Sequence, residues 1–119
     1  MDNITVIESF WRIIHNQVFD ELKLICSKDL IVSLANTGEQ FNLNNYIEFN
    51  SIYPGNWEVE VIDIKEVGNN ILSITEVFDD SGSHTCIAFF KVEEGLIVEQ
   101  IEYWGENSTP PEWRSHLTL

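Results

Sequence analysis

WEVEVIDIKEVGNNILSITEVFDDSGSHTCIAFFKVEEGLIVEQIEYW, running from Trp57 to Trp104, sets the architecture of this chain. Apolar and polar residues alternate through most of it with a period of two, the spacing that gives a strand an inward and an outward face. The alternation predicts strands over Trp57–Val67, Ile71–Phe78, His84–Val92 and Leu96–Trp104. Between them lie Gly68-Asn69-Asn70, Asp79-Asp80-Ser81-Gly82 and Glu93-Glu94-Gly95, which are turn residues. Connections this short join antiparallel neighbours, so the four strands form a meander. Val59, Val61, Ile62 and Ile64 break the alternation in the first strand, and a bulge that bends it is expected there.

The residues before Trp57 follow another rhythm. Ile7, Phe10, Trp11, Ile14 and Val18 recur at helical spacing, which predicts a helix over Ile4–His15 capped by Asp2 or Asn3. A second, shorter helix is expected from Phe19 to Cys26, with Leu22, Ile25 and Cys26 inward. Leu30–Ala35 reads as a short strand, Asn36-Thr37-Gly38-Glu39 as a turn, and Phe41 as a brief return pairing. Asn42 can cap a third helix through Ile52 that places Tyr46, Phe49, Asn50 and Tyr53 on one side, and Pro54-Gly55 ends it. Helices first and strands after give an α+β fold, with three helices on one face of a curved antiparallel sheet. A bent sheet over short helices leaves its wide end unfilled, and that space is a pocket.

Composition narrows the function classes. The chain has 119 residues and reads as one domain over residues 1–119, with a formal net charge of −14 from 20 acidic and 6 basic residues. Such a charge repels phosphate backbones and anionic membranes, so neither nucleic acid nor membrane is an expected partner. No apolar run reaches the ~20 residues of a membrane span. The first residues lack the basic and apolar stretches of an export signal, and Cys26 and Cys86 are few and far apart. Reduced thiols and a cytoplasmic location are the expectation. The tail from Ser108 to Leu119 carries Pro110, Pro111 and an apolar Trp113, so it is expected to dock on the domain or on a dimer partner.

Glu102 is the candidate catalytic group. On its strand it shares a face with Gln100 and Trp104, while Ile101 and Tyr103 take the other. Facing the pocket, its carboxyl is an acid or base whose pKa apolar walls raise. Facing outward, it is a solvated glutamate or an ion-pair partner of Arg12 or Arg114. His84, at the start of its strand, is a second candidate, although a one-residue shift moves it to the opposite face. Trp11, His15, Tyr46, Asn50, Trp57 and Trp104 are candidate ligand-binding residues: the aromatics as walls for a flat or cationic molecule, Asn50 as a polar anchor, and His15 at the pocket mouth. The same aromatics also serve as core. No Cys-x-x-Cys or His-x-x-x-His spacing, Gly-rich phosphate loop or nucleophile elbow occurs, so neither metal nor cofactor is expected.

In order and spacing, these segments resemble the nuclear-transport-factor-2-like (NTF2-like) superfamily, and among it the small bacterial SnoaL-like members. The likeness rests on Asp29-Leu30-Ile31-Val32, Asn36-Thr37-Gly38-Glu39, Phe49-Asn50, Tyr53-Pro54-Gly55 with Trp57, and Gly95-Leu96-Ile97 leading to Glu102-Tyr103-Trp104. Pro110-Pro111-Glu112-Trp113-Arg114 is similar to the tails of small members. The resemblance implies a cone-shaped, cystatin-like fold and a homodimer formed through the sheet. The superfamily's chemistries match unevenly. The oxyanion-donating tyrosine of ketosteroid isomerases falls at Phe10 and their general base near Leu34, neither of which can do that work. The Arg–Asp pair of limonene-epoxide hydrolases falls near Thr75 and Val77, and only their last-strand acid has a counterpart, Glu102. The Asp and His of SnoaL-type cyclases have Glu102 and either His84 or His15 as counterparts. Three functions stay open: a binder of a small hydrophobic or aromatic molecule in an apolar, aromatic-lined pocket; a cofactor-independent isomerase, cyclase or hydrolase using Glu102; or a dimeric interaction module without catalysis.

Overall fold

The computed structural model describes residues 2–119. Helix α1 (Asn3–Asn16) opens the chain, and Asp2 caps it by accepting the Thr5 N–H at 2.8 Å. A 3-10 helix, Phe19–Leu24, follows. Strand β1 (Cys26–Leu34) and the short β2 (Gln40–Asn42) precede α2 (Leu43–Ile52). The meander is β3 (Glu58–Val67), β4 (Asn70–Asp79), β5 (Gly82–Glu93) and β6 (Leu96–Glu106). A second 3-10 helix, Glu112–Leu117, lies in the tail.

The sheet has six strands in the order β2-β1-β6-β5-β4-β3 and stays open. The meander pairs antiparallel throughout. β1 departs from the antiparallel expectation: it runs parallel to β6, with Val32 opposite Gln100 and Leu34 opposite Glu102. A parallel pair needs a long crossover, which here is the whole stretch from β2 to β5. The register of β3 on β4 slips between Val61 and Asp63, so Ile62 is the extra residue of the expected bulge.

Two expected elements change form. The segment after Phe19 is a single 3-10 helix ending at Leu24, because Cys26 already belongs to β1 and leaves too few residues for an α-helix. β1 begins four residues before Leu30; its polar opening, Ser27-Lys28-Asp29, hides it from a hydrophobic pattern.

The core lies between the helices and one sheet face. Val6, Ile7, Phe10 and Trp11 of α1 meet Cys86, Ala88 and Phe90 of β5, with the Phe10 and Phe90 rings edge to face at 5.2 Å. Alternation on β4 turns Ile71, Ser73, Thr75 and Val77 inward; on β6 it turns Gln100 and Glu102 inward, and a register slip at Val98 brings Ile97 to the same side. Four of these inward residues are polar or charged, and a sheet used only for packing does not need them. The tail residues are exposed in this single chain, Trp113 at 72%. Among the described residues, no helix is long and apolar enough to cross a membrane.

Candidate functional site

A cavity of about 440 Å³ opens between α1, α2 and the inner sheet face. α2 supplies one wall. Asn42 caps that helix by accepting the Asn45 N–H at 2.8 Å, which fixes the phase that turns Tyr46, Phe49 and Asn50 toward the cavity. Trp11 and Ile14 line it from α1, Leu34 from β1 and Val77 from β4. Trp57, His84 and Trp104 form the far wall.

Glu102 sits in this wall and is only 2% exposed. Its strand neighbours are Ala88 on β5 and Leu34 on β1, which offer it no polar group. Three donors reach it instead. Oε2 accepts the Tyr46 hydroxyl at 2.5 Å and Gln100 Nε2 at 2.5 Å, while Oε1 accepts Trp104 Nε1 at 2.8 Å. Burial raises the Glu102 pKa above the usual carboxylate value, and the donations from Tyr46, Trp104 and Gln100 pull the other way without cancelling it. Burial, with the adjacent Glu102 charge, holds the Tyr46 hydroxyl well above its ordinary pKa, so it is a donor and never an anion at neutral pH. Gln100 also reaches the Tyr46 oxygen at 3.3 Å, and its own Oε1 is buried without a partner.

The structure places the other candidate residues as follows. Trp11 lines the cavity and donates Nε1 to Ser73 Oγ at 3.0 Å. Asn50 lines it and donates Nδ2 to the Tyr46 carbonyl at 2.8 Å, which leaves its side-chain oxygen for a ligand. The His84 ring lies between Trp57 at 5.5 Å and Trp104 at 6.3 Å. His84 makes no hydrogen bond to Glu102: the β5–β6 register sets it opposite Glu106, while Ala88 faces Glu102. His15 does not line the cavity. Its position late in α1 turns it to β3, where Nδ1 accepts the Val59 N–H at 3.0 Å, so the expected role at the pocket mouth is replaced by a tie between helix and sheet. Burial raises the Cys26 thiol to about 12 and pushes Cys86 higher still, so both are inert thiols at neutral pH. Among the described residues, no group of three His, Cys, Asp or Glu side chains converges to hold a metal ion.

Two residues of the site escape a reading of the sequence alone. Gln100 is a ligand of the Glu102 carboxylate, and the signal was its place two positions away on the same strand face. Asn36, read only as turn chemistry, accepts the Trp104 N–H at 2.8 Å and lines the mouth. That contact joins residues 68 positions apart and leaves no local trace.

No family model matches the chain, and no curated protein matches it in sequence. Solved structures do match. A Kribbella flavida protein assigned as a ketosteroid isomerase superposes with a TM-score of 0.84 at 21% identity, covering 98% of this chain and 87% of that one. An NTF2-like protein of unknown function from Burkholderia xenovorans gives 0.81 at 20% identity, over 97% and 91%. A Jannaschia protein assigned as a SnoaL-like polyketide cyclase gives 0.70 at 14% identity, over 93% and 98%. The inward-facing acid of β6, the helices laid across the bent sheet and these superpositions agree: the chain has the NTF2-like fold.

Proposed function

We propose that this chain binds a small, largely apolar molecule in the aromatic-walled cavity, with Glu102 as its polar anchor. The observation that carries the reading is a buried carboxylate, held by three donors, in the wall of a cavity large enough for a multi-ring molecule. Burying a carboxyl is costly, and a fold that only packed its core would place an apolar residue there. The test is a titration with N-phenyl-1-naphthylamine, a neutral dye that brightens in apolar surroundings. One saturable site is expected in the native chain, lost when Val77→Trp or Leu34→Trp fills the cavity while circular dichroism stays native. Absence of saturation, or retention of binding by both filled variants, refutes the reading.

A second reading is favoured by the Tyr46–Glu102 hydrogen bond. A carboxyl with a raised pKa at the edge of an apolar cavity can move a proton at neutral pH, which is the work of a cofactor-independent isomerase, cyclase or hydrolase. Glu102 is then the catalytic acid or base. His84, at the half-buried end of the same cavity, acts on another part of the substrate, since it does not touch Glu102. Turnover of a substrate found by screening, lost in Glu102→Gln with binding retained, supports this; unchanged turnover rejects it.

The outer sheet face supports a homodimer. Leu72 and Ile74 on β4, Ile87 and Phe89 on β5, and Ile101 and Tyr103 on β6 lie side by side on it, with Ile87 38% and Tyr103 45% exposed. The tail of residues 108–119 then docks on the partner, and the reducing cytoplasm keeps both cysteines as thiols. Light scattering should give twice the chain mass, and Ile87→Glu should give the monomer. A native chain that is monomeric at micromolar concentration refutes this assembly.

A further inference from the structure

The hydrogen-bonding inventory of the cavity is lopsided. Its donors are nearly all spent inside the protein. Trp11 Nε1 donates to Ser73, Trp57 Nε1 to the Pro54 carbonyl, Trp104 Nε1 and the Tyr46 hydroxyl to Glu102, and Asn50 Nδ2 to the Tyr46 carbonyl. At the mouth, Gln17 donates to Asn56, Thr37 to Glu39, and Ser51 to the Ile47 carbonyl. The side-chain donors left uncommitted, the second N–H of Asn50 Nδ2 and of Gln17 Nε2, Asn36 Nδ2, the Tyr53 hydroxyl and the His84 ring, belong to exposed or half-buried residues.

The acceptors are free by contrast. Glu102 Oε1 carries one donor against two on Oε2, so a lone pair remains on the oxygen that Trp104 holds. Asn50 keeps its side-chain oxygen. Glu39 lines the mouth with one hydroxyl on its carboxylate. Asp79 stands just outside, with Oδ2 2.8 Å from the point a Cβ on Gly55 would occupy. None of the six Lys and Arg residues lines the cavity. Around the opening runs a continuous band of rings, from Phe49 to Tyr53 at 5.6 Å, to Trp57 at 6.4 Å, to His84 at 5.5 Å and to Trp104 at 6.3 Å.

We propose that the ligand is an organic cation, an apolar ring system carrying a protonated amine, whose N–H groups reach Glu102 Oε1 and Asn50 Oδ1 while the aromatic band surrounds the charge. The inference rests on the ligand-binding reading and specifies its chemistry. An anion would find two carboxylates and no cation. A carbonyl compound would leave the free acceptors, Glu102 Oε1 and Asn50 Oδ1, unpaired on desolvation. An ammonium group supplies the missing donors, is attracted by ring faces and is drawn in by a chain of net charge −14.

Three probes of one shape separate the classes: 2-(2-naphthyl)ethylamine, 2-(2-naphthyl)ethanol and 2-naphthylacetate, titrated calorimetrically near neutral pH against the full chain. The amine should bind about ten-fold more tightly than the alcohol, and the carboxylate more weakly than either. In Glu102→Gln the gap between amine and alcohol should shrink to about two-fold, because the amine loses more affinity than the alcohol. Added salt should weaken the amine and spare the alcohol, a comparison that needs no variant. An alcohol or carboxylate that binds as well as the amine overturns the inference and leaves the ligand-binding reading standing. If none of the three binds, that reading fails and the inference falls with it.

Discussion

The hydroxyl of Tyr46 on α2 and Oε2 of Glu102 on β6 meet at 2.5 Å, 56 positions apart in sequence, both cut off from solvent. The bond fastens α2 to the sheet at the cavity wall. Tyr46→Phe keeps the ring and removes the donor. It should destabilise the fold by about 1–3 kcal/mol where Glu102 is ionised, and by less where the carboxyl holds a proton. Urea denaturation at about pH 5 and pH 8 checks this, and a cost that does not grow with pH counts against the bond as drawn.

Glu102 sets a pH dependence of unusual sign for a carboxylate. Its folded pKa lies above the ordinary glutamate value of 4.5, so the folded state holds the proton more tightly than the unfolded one. Its contribution is fully present below the unfolded value and is lost as pH rises through the folded one. Glu102→Gln removes that slope. The melting temperature of the native chain should therefore fall relative to the variant as pH climbs from about 4.5 toward neutrality. Parallel profiles would show that the carboxyl titrates as it does in the unfolded chain.

Asp63 and Asp79 act in the opposite sense on the exposed surface. A hydrogen bond from Lys65 lowers the first pKa and one from Ser81 lowers the second. What they add is present above the unfolded value of 3.8 and lost as pH falls through the folded one. Asp79→Asn should therefore lower stability slightly at neutral pH and flatten its fall below about pH 4, as urea denaturation across that range checks.

Gly55 holds the cavity mouth open by having no side chain. Its φ is +108°, and a Cβ there would sit 2.6 Å from Trp57 Nε1. Gly55→Ala should cost more than about 1 kcal/mol and displace the Trp57 ring. The indole N–H resonance of Trp57 reports the displacement directly. An unmoved resonance would mean that the loop yields and the ring does not.

The N-terminus of α2 offers a local test of how the site is aligned. Asn42→Ala loses the cap to Asn45, about 1 kcal/mol of stability. The dye affinity should drop with it, because the phase of the helix aims Tyr46 and Asn50. Lost stability with full affinity would show that packing alone sets the phase.

Much of the architecture could be read directly from residue order. Period-two alternation and three short turns dictated the meander, the unbroken apolar run at Val61-Ile62 marked the bulge, and Asp2 and Asn42 announced their helices. What stayed hidden depends on distance along the chain. The parallel register of β1 on β6 is decided by residues far apart, and its polar opening erased the local pattern. His15 shows why helical spacing alone does not place a residue in a site: the residue is on the helix as expected, but the neighbour it meets is β3. Glu102 was legible through the family resemblance, since strand parity grouped it with Gln100 and Trp104 without saying which face was inward. Its partner Tyr46 was legible only as one aromatic among several, since nothing local says which ring touches the acid.

The parallel pairing of β1 with β6 has a consequence for how the protein is made. Leu34 waits for Glu102, so the cavity wall closes only after the final strand has left the ribosome. Loop-closure entropy for so distant a contact comes due before any reward, which marks the docking of β6 as a late, slow step of folding. Until then the apolar lining of the hollow stands bare, and a nascent chain stalled before Leu96 exposes the surface most prone to aggregate.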